Sequence, residues 1–290
     1  MAMNSTLKKL APALLAGALA AIGAASPVQE VRAQAAAPAA GFDKVKPGAA
    51  QGTVADFGYA SAVTGTQRMA RVYLPPGYTP QRRYPVLYLL HGIGGNQHEW
   101  TGYVRAQPIL DGLIGEGGAV PMIVVMPNGR AMADDRVPPG ERTFAPDHIA
   151  AFAQFERDLL ESLIPAVDKA YPTLADRTKR AIAGLSMGGG QALNFGLTHL
   201  DTFAWVGGFS SAPNTRPAAA LLPEPAAARR QLQLLYLSCG RQDGLMGVSQ
   251  DLHSYLQQQG VPHVWNVDAY GHDRESWAEN LYHFARFLFR

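Results

Sequence analysis

Ser186, Asp243 and His272 are the residues of this 290-residue chain whose types and settings suit nucleophilic chemistry. Ser186 lies in Gly184-Leu185-Ser186-Met187-Gly188, after the apolar run Ala181-Ile182-Ala183 and before an Ala/Leu/Phe-rich segment of helical character. A serine hydroxyl is a poor nucleophile at neutral pH, so it must project from a sharp turn where a base reaches it and a substrate can approach. A G-x-S-x-G sequence between a buried strand and a helix makes that turn, a nucleophile elbow. The positions two before and two after the serine have no room for a Cβ, a demand that Gly184 and Gly188 meet.

The serine needs an imidazole to take its proton and a carboxylate to orient the imidazole. His272 lies in Tyr270-Gly271-His272-Asp273, between the last strand-like run and the last helical one. Asp243 lies in Gly240-Arg241-Gln242-Asp243-Gly244, directly after a strand-like run. Asp268, four residues before His272, is the alternative acid. Among the other histidines, His148, His199, His253, His263 and His283 read as solvated polar positions. His98 could line the cleft but precedes the serine, and His91 reads as a structural hydrogen-bonding residue.

A developing oxyanion needs two backbone N–H groups aimed at one point. The residue after the serine supplies one, and the loop after an early strand supplies the other. These are Met187 and Ile93, the latter in the glycine-rich His91-Gly92-Ile93-Gly94-Gly95, with Gly92 or Gly94 as alternative donors.

The elements that must position these groups follow from periodicity. Val54–Val63 and Gln67–Leu74 have strand composition with Gly65 between them, which suggests a hairpin. Tyr84–Leu90 and Met122–Met126 are apolar runs of the kind covered on both faces of a sheet. Phe152, Phe155, Leu159, Leu163 and Val167 mark an amphipathic helix that Pro165 should kink or shorten. Phe203–Phe209, Leu232–Ser238 and Val264–Val267 read as strands. Val248, Leu252, Tyr255 and Leu256 lie on one helix face, and Trp277, Leu281, Phe284 and Leu288 on another. Residues 210–230, rich in proline and alanine, form a long connection that could cover the site. Alternation of strands and helices predicts an α/β fold with a mostly parallel, doubly wound sheet in a single domain, and all catalytic loops at the strands' carboxyl ends. The order Ser, Asp, His, each after a strand, is that of the α/β-hydrolases.

A 47% hydrophobic content supports a large core, and a formal charge of +2 without basic blocks argues against nucleic acid as a partner. The single cysteine, Cys239, forms no intrachain disulfide and reads as a small buried hydrophobe. No Cys/His spacing suggests a metal site, and no cofactor is expected. Lys8 and Lys9 precede an apolar stretch from Leu10 to Ala25, with Ala33-Gln34-Ala35 beyond it. Residues 1–35 therefore read as a secretory signal peptide, residues 36–51 as a flexible leader and residues 52–290 as the catalytic domain. The mature product is expected in the periplasm or outside the cell, with no membrane association after cleavage.

The ordered set His91-Gly92-Ile93-Gly94-Gly95, Glu99-Trp100, Val125-Met126-Pro127-Asn128-Gly129-Arg130, Gly184-Leu185-Ser186-Met187-Gly188-Gly189, Phe209-Ser210-Ser211 and Gly271-His272 resembles the esterase D-related, family 1 carbohydrate esterases, which include feruloyl and acetylxylan esterases. The resemblance runs from about Gly52 to the C-terminus. It implies an α/β-hydrolase fold, a Ser186–Asp243–His272 triad, metal-free chemistry and hydrolysis of acyl esters on plant polysaccharides. The same scaffold resembles S-formylglutathione hydrolases, siderophore esterases and mycolyltransferases, so other small esters and acyl transfer are the alternative functions, with a non-catalytic binding protein more remote. Trp100, just beyond the oxyanion loop, has two readings: an aromatic wall that stacks on an acyl group or a sugar ring, or a residue that packs beneath the loop.

Overall fold

The computed structural model describes Met1 and residues 36–290. The expected signal peptide otherwise lies outside the described residues. Among the described residues, eight strands form one sheet: β1 (Thr53–Ala60), β2 (Gln67–Leu74), β3 (Val86–Leu90), β4 (Ile123–Pro127), β5 (Arg180–Leu185), β6 (Trp205–Phe209), β7 (Leu234–Gly240) and β8 (Val264–Asp268). Their spatial order is β1-β2-β4-β3-β5-β6-β7-β8. The β1–β2 hairpin and its junction with β4 are antiparallel, and every later pairing is parallel. The helices are α1 (Ala106–Gly115), α2 (Pro146–Asp158), α3 (Ile164–Ala170), α4 (Ser186–Thr198), α5 (Ala218–Leu221), α6 (Pro225–Gln231), α7 (Met246–Gln258) and α8 (Arg274–Phe287).

The central strands are buried along their whole length, so their side chains alternate between two cores. Tyr88, Leu90 and Ile182 enter one core with Phe155 and Leu159 of the α2 side, Leu193 of α4 and Leu252 of α7. Leu87, Leu89, Ala181 and Ala183 enter the other with Ile109 and Leu113 of α1 and with Leu281 and Phe284 of α8. This is the fold expected for a run of apolar strands that must be covered on both faces. The strand order reverses between β3 and β5. A crevice opens at their carboxyl ends, where open α/β sheets bind ligands.

Two elements differ from expectation. The helix read through Val167 is divided: α2 ends at Asp158, a π-helical turn spans Leu159–Leu163, and α3 begins with Pro165 in its first turn. Pro165 lacks an N–H and fits where a helix starts, so the wide turn before it gives it that place. The long connection after β6 folds into α5 and α6, and α5 packs against α4 and α7 instead of standing over the crevice as a lid. Residues 36–51 form no strand or helix, and several of them touch the body of the fold. Phe42 packs edge-on to Tyr282 at 5.4 Å, Asp43 pairs with Arg274, and Lys46 pairs with Glu116. Gly52 is held on both sides, its N–H donating to Asp111 at 2.9 Å and its carbonyl accepting from Gln107 at 2.9 Å.

Candidate functional site

β5 delivers Ser186 to the carboxyl edge of the sheet, and α4 starts at that residue. The backbone changes direction in one step, with Ser186 at φ +51°, a left-handed conformation that costs a non-glycine residue about 1–2 kcal/mol. Such strain persists only where the surroundings enforce it. The two flanking glycines show the enforcement. A Cβ on Gly184 would lie 2.3 Å from the Gly188 carbonyl oxygen, and one on Gly188 would lie 2.5 Å from the carbonyl oxygens of both Leu90 and His91.

His272 Nε2 lies 2.9 Å from Ser186 Oγ, and its Nδ1 lies 2.8 Å from Asp243 Oδ2. The Asp243 side chain is fully enclosed, whereas a third of the His272 side chain is exposed. Burial pushes the Asp243 carboxyl up, but hydrogen bonds from His272 and from the Leu245 N–H at 2.8 Å outweigh it, so its pKa lies below the usual value. The carboxylate therefore stays ionised and holds the imidazole in the tautomer with a proton on Nδ1, leaving Nε2 free to accept from the serine. Trp277 stands edge-on to the His272 ring at 5.1 Å and fixes its plane from the side. Asp268, the alternative acid, is engaged elsewhere: it accepts from Ser276 Oγ and Asn280 Nδ2, both at 2.7 Å, and from the Tyr270 N–H at 2.9 Å. It shapes the loop that carries His272.

The oxyanion loop is fixed by side chains on every side. The Gly92 carbonyl accepts from His91 Nδ1 at 2.6 Å and from the Gly95 N–H at 3.0 Å. In a trans peptide the N–H of the next residue points the opposite way, so pinning this carbonyl aims the Ile93 N–H. Among the described residues, that N–H donates to no protein acceptor. The Met187 N–H, second in α4, has no carbonyl one turn back within the helix to bond, and it carries the positive end of the helix dipole. Gly92 drops out as a donor because its own N–H binds Glu99 Oε2 at 2.7 Å. His91 Nε2 accepts from the Gly129 N–H at 2.8 Å, and Arg130 Nη2 donates to the Ile93 carbonyl at 2.7 Å. These contacts bear out the structural reading of His91. Burial lowers its pKa to about 4, so the ring stays neutral and can accept from Gly129.

Glu99 and Arg130 are functional supports that residue types alone did not single out, although both fall within the quoted motifs. Burial raises the Glu99 pKa, partly offset by the Gly92 N–H and by His272 nearby. Trp100 requires a correction: it is 1% exposed, its indole N–H donates to the Leu90 carbonyl at 2.9 Å, and its ring meets Phe209 edge-on. It packs beneath the oxyanion loop and presents no face to a substrate. The histidines expected at the surface also need correction, since His148, His253, His263 and His283 are buried. His253 and His263 hydrogen-bond each other at 2.7 Å, and the His253 ring stacks on Trp265. Helical periodicity could not reveal these pairings because they join separate elements. Ile93, Phe152, Met187, Ala212 and Leu245 form a small apolar cluster of their own around the two N–H donors.

The family described as "Putative esterase" matches residues 61–287. The chain belongs to this esterase family. It is 32% identical over 247 residues to an endo-1,4-beta-xylanase/feruloyl esterase of Xylanibacter ruminicola, covering 82% of this chain and 32% of that protein. The chain thus spans about a third of that relative. An acetyl esterase of Caldicellulosiruptor saccharolyticus is 24% identical over 66% of this chain and 78% of its own length. Among solved structures, a CE1 ferulic acid esterase from the anaerobic fungus Anaeromyces mucronatus in complex with ferulic acid superposes with a TM-score of 0.78 at 26% identity, covering 87% of this chain and 96% of that one. The α/β-hydrolase architecture of the esterase family is therefore that of this chain.

Two consequences of this candidate site can be measured. Asp243→Asn should reduce turnover by about four orders of magnitude, since an amide no longer selects the imidazole tautomer. Asp268→Asn should act mainly on stability, by about 1–3 kcal/mol for disturbed buried hydrogen bonds, with far less effect on turnover. The reverse ranking in purified, folded variants would move the orienting role to Asp268.

The second concerns His91. Its folded pKa, about 4, lies below the unfolded imidazole value near 6.5, so between these values the unfolded chain binds a proton that the folded one does not. The stability it confers is complete above about pH 6.5 and is lost as pH falls toward 4, by about 3 kcal/mol in all. Urea unfolding at a series of pH values should show this decline in the native chain and a shallower one in His91→Gln. Equal slopes would assign the acid sensitivity to other groups.

Proposed function

We propose that this chain is a serine carboxylic ester hydrolase that removes feruloyl or acetyl groups from plant polysaccharides through an acyl-enzyme. The observation that carries this reading is the unbroken hydrogen-bond line from Ser186 Oγ through His272 to Asp243, set beside the N–H groups of Ile93 and Met187. Ser186 Oγ attacks the ester carbonyl carbon while His272 Nε2 takes its proton. The negative charge that forms on the carbonyl oxygen is met by the two N–H groups. As the tetrahedral intermediate collapses, the carbon–oxygen bond to the alcohol breaks and His272 returns the proton to the departing oxygen. Water then gives a proton to His272 and attacks the acyl-serine; as the bond to Oγ breaks, His272 returns that proton to Ser186 Oγ and the carboxylic acid is released.

The choice of acyl group is supported by the similarity to enzymes named as feruloyl and acetyl esterases and by the small apolar cluster beside the donors. A long acyl chain needs a continuous apolar channel, whereas five residues around the donors form a short rim suited to a methyl or planar group. The expected result is turnover of methyl ferulate and of p-nitrophenyl esters from acetate to butyrate, with little on palmitate. Ser186→Ala should lose on the order of a million-fold in turnover while remaining folded. A preference for palmitate, or substantial activity in the alanine variant, contradicts the proposal.

Export belongs to the same reading, because polysaccharide esters lie outside the cytoplasm and residues 1–35 have the charge and apolar pattern of a signal peptide. Protein recovered from the periplasm or the medium should begin near Ala36 by intact mass. Full-length protein confined to the cytoplasm would remove both the export argument and the extracellular substrate.

A further inference from the structure

Glycine is among the poorest helix formers, yet α4 carries three in its first two turns, at Gly188, Gly189 and Gly190. Each yields to a different neighbour. Gly188 admits the end of β3, as described above. A Cβ on Gly189 would lie 2.8 Å from Ser211 Oγ, and one on Gly190 would overlap the Asn214 carboxamide, 2.6 Å from its Cγ. Ser211 and Asn214 belong to the segment after β6, so residues 210–214 lie along the first turns of α4 as a strap set against bare backbone.

The strap has a fixed shape. Ser210 leaves β6 at φ +47°, a left-handed conformation held by the bond from its N–H to the Ser238 carbonyl at 2.8 Å. Ala212 to Thr215 then close a turn: the Thr215 N–H and Oγ1 both donate to the Ala212 carbonyl, at 3.0 and 2.7 Å, with Pro213 at the position where such a turn favours proline. The turn directs Asn214 at α4, where its Nδ2 donates to the Met187 carbonyl at 3.0 Å. Asn194, two turns further along α4, closes the connection from the other side. Its Nδ2 donates to the Asn214 carbonyl and its Oδ1 accepts from the Arg216 N–H, both at 2.9 Å.

What the strap holds is the peptide that joins Ser186 to Met187. The Ser186 carbonyl accepts from the Ala212 N–H at 3.0 Å. The carbonyl and N–H of one trans peptide point in opposite directions, so this bond aims the Met187 N–H. It also polarises the peptide, because hydrogen bonds in a chain strengthen one another. The Gly92 carbonyl is pinned in the same manner opposite the Ile93 N–H, so both amides assigned to the oxyanion are set by what their own carbonyls bind. Ala212 lies two residues before Asn214, and its reach to Ser186 depends on the grip of that carboxamide on the next carbonyl of the helix.

We propose that Asn214 is a positioning residue for the reaction at Ser186, seating the strap so that the Ala212 N–H holds the Ser186–Met187 peptide and aims its N–H at the oxyanion. The proposal rests on the serine-esterase reading, in which that N–H is an oxyanion donor. The test measures kcat and KM on p-nitrophenyl acetate and methyl ferulate, the urea midpoint, and the affinity for phenylboronic acid, whose tetrahedral adduct on Ser186 puts an oxygen in the oxyanion position. The variants are Asn214→Ala and the double variant Gly190→Ala, Asn214→Ala, in which the added methyl enters the space left by the carboxamide and favours the helix. Loss of a whole oxyanion donor costs about a hundred- to a thousandfold in kcat, so a donor left loose is expected to cost about tenfold, on both esters alike and with KM little changed. Boronate affinity should fall by the same factor. The double variant should recover the native urea midpoint and remain as slow as Asn214→Ala. An unchanged kcat in Asn214→Ala, a loss confined to one ester, or turnover that returns with stability in the double variant overturns the positioning role. If Asn214→Ala alone does not fold, the double variant decides by the same comparison with the native chain. Any of those results in a chain whose native form is active leaves the esterase reading standing. A native chain inactive on both esters overturns that reading and the positioning role with it.

Discussion

The close approach of three backbone segments at Gly184 and Gly188 is the constraint on which the site depends. β3 and β5 are parallel neighbours with Leu90 opposite Gly184, so their carboxyl ends emerge side by side. At that level the chain must turn from strand into helix without a side chain between α4 and the end of β3. Because a Cβ at Gly188 would meet the carbonyls of Leu90 and His91, α4 sits as near the oxyanion loop as main chain can. The Met187 N–H rides on α4 and the Ile93 N–H on the loop, so the same contact sets their separation. Packing of backbone against backbone is stiff, and preorganised donors are worth more in a barrier than donors that must move into place.

Beneath the loops lies a second layer built from buried charge. Arg68 pairs with the fully enclosed Asp158 and donates to the carbonyls of Asn128 and Arg130, both at 2.7 Å, while the Tyr59 hydroxyl donates to Asp158 at 2.7 Å. Arg130 then reaches from this layer to the carbonyl of Ile93. Removing one partner from such a pair typically costs about 3–5 kcal/mol, because the other charge is left buried. The network joins the β1–β2 hairpin, the end of β4, α2 and the loop after β3, and so ties the position of the Ile93 amide, a proposed oxyanion donor, to residues far from it in sequence.

The sheet was legible in the sequence because both faces of its central strands are buried, and each strand therefore appears as an apolar run. The elbow was legible because its glycines follow from a steric demand that fixes their spacing from the serine. Trp100 was ambiguous for a physical reason: an indole after a glycine loop serves equally well as a wall or as a foundation, and only its bond to the Leu90 carbonyl decides between them. The buried histidines were misread because helical periodicity treats histidine as polar, whereas His253 and His263 meet across two elements. Residues 36–51 show no periodic core face in their composition, and Phe42 and Asp43 each make a contact with α8 that no periodicity announces.

That last segment bears on the site itself. Arg274 lies two residues beyond His272, at the start of α8, and binds both the Asp43 carboxylate and, at 2.9 Å, the Tyr103 carbonyl. Tyr103 in turn meets the ring of Trp277, which stands against the His272 imidazole. The His272 loop is thus held from below by Asp268, from the helix by Trp277 and from outside by the segment preceding β1. A loop after an edge strand has a neighbour on only one side of the sheet, and β8 is such a strand. His272, the proposed base, is therefore steadied by contacts from elsewhere in the chain, whereas Ser186, the proposed nucleophile, follows a central strand and is held by the sheet itself.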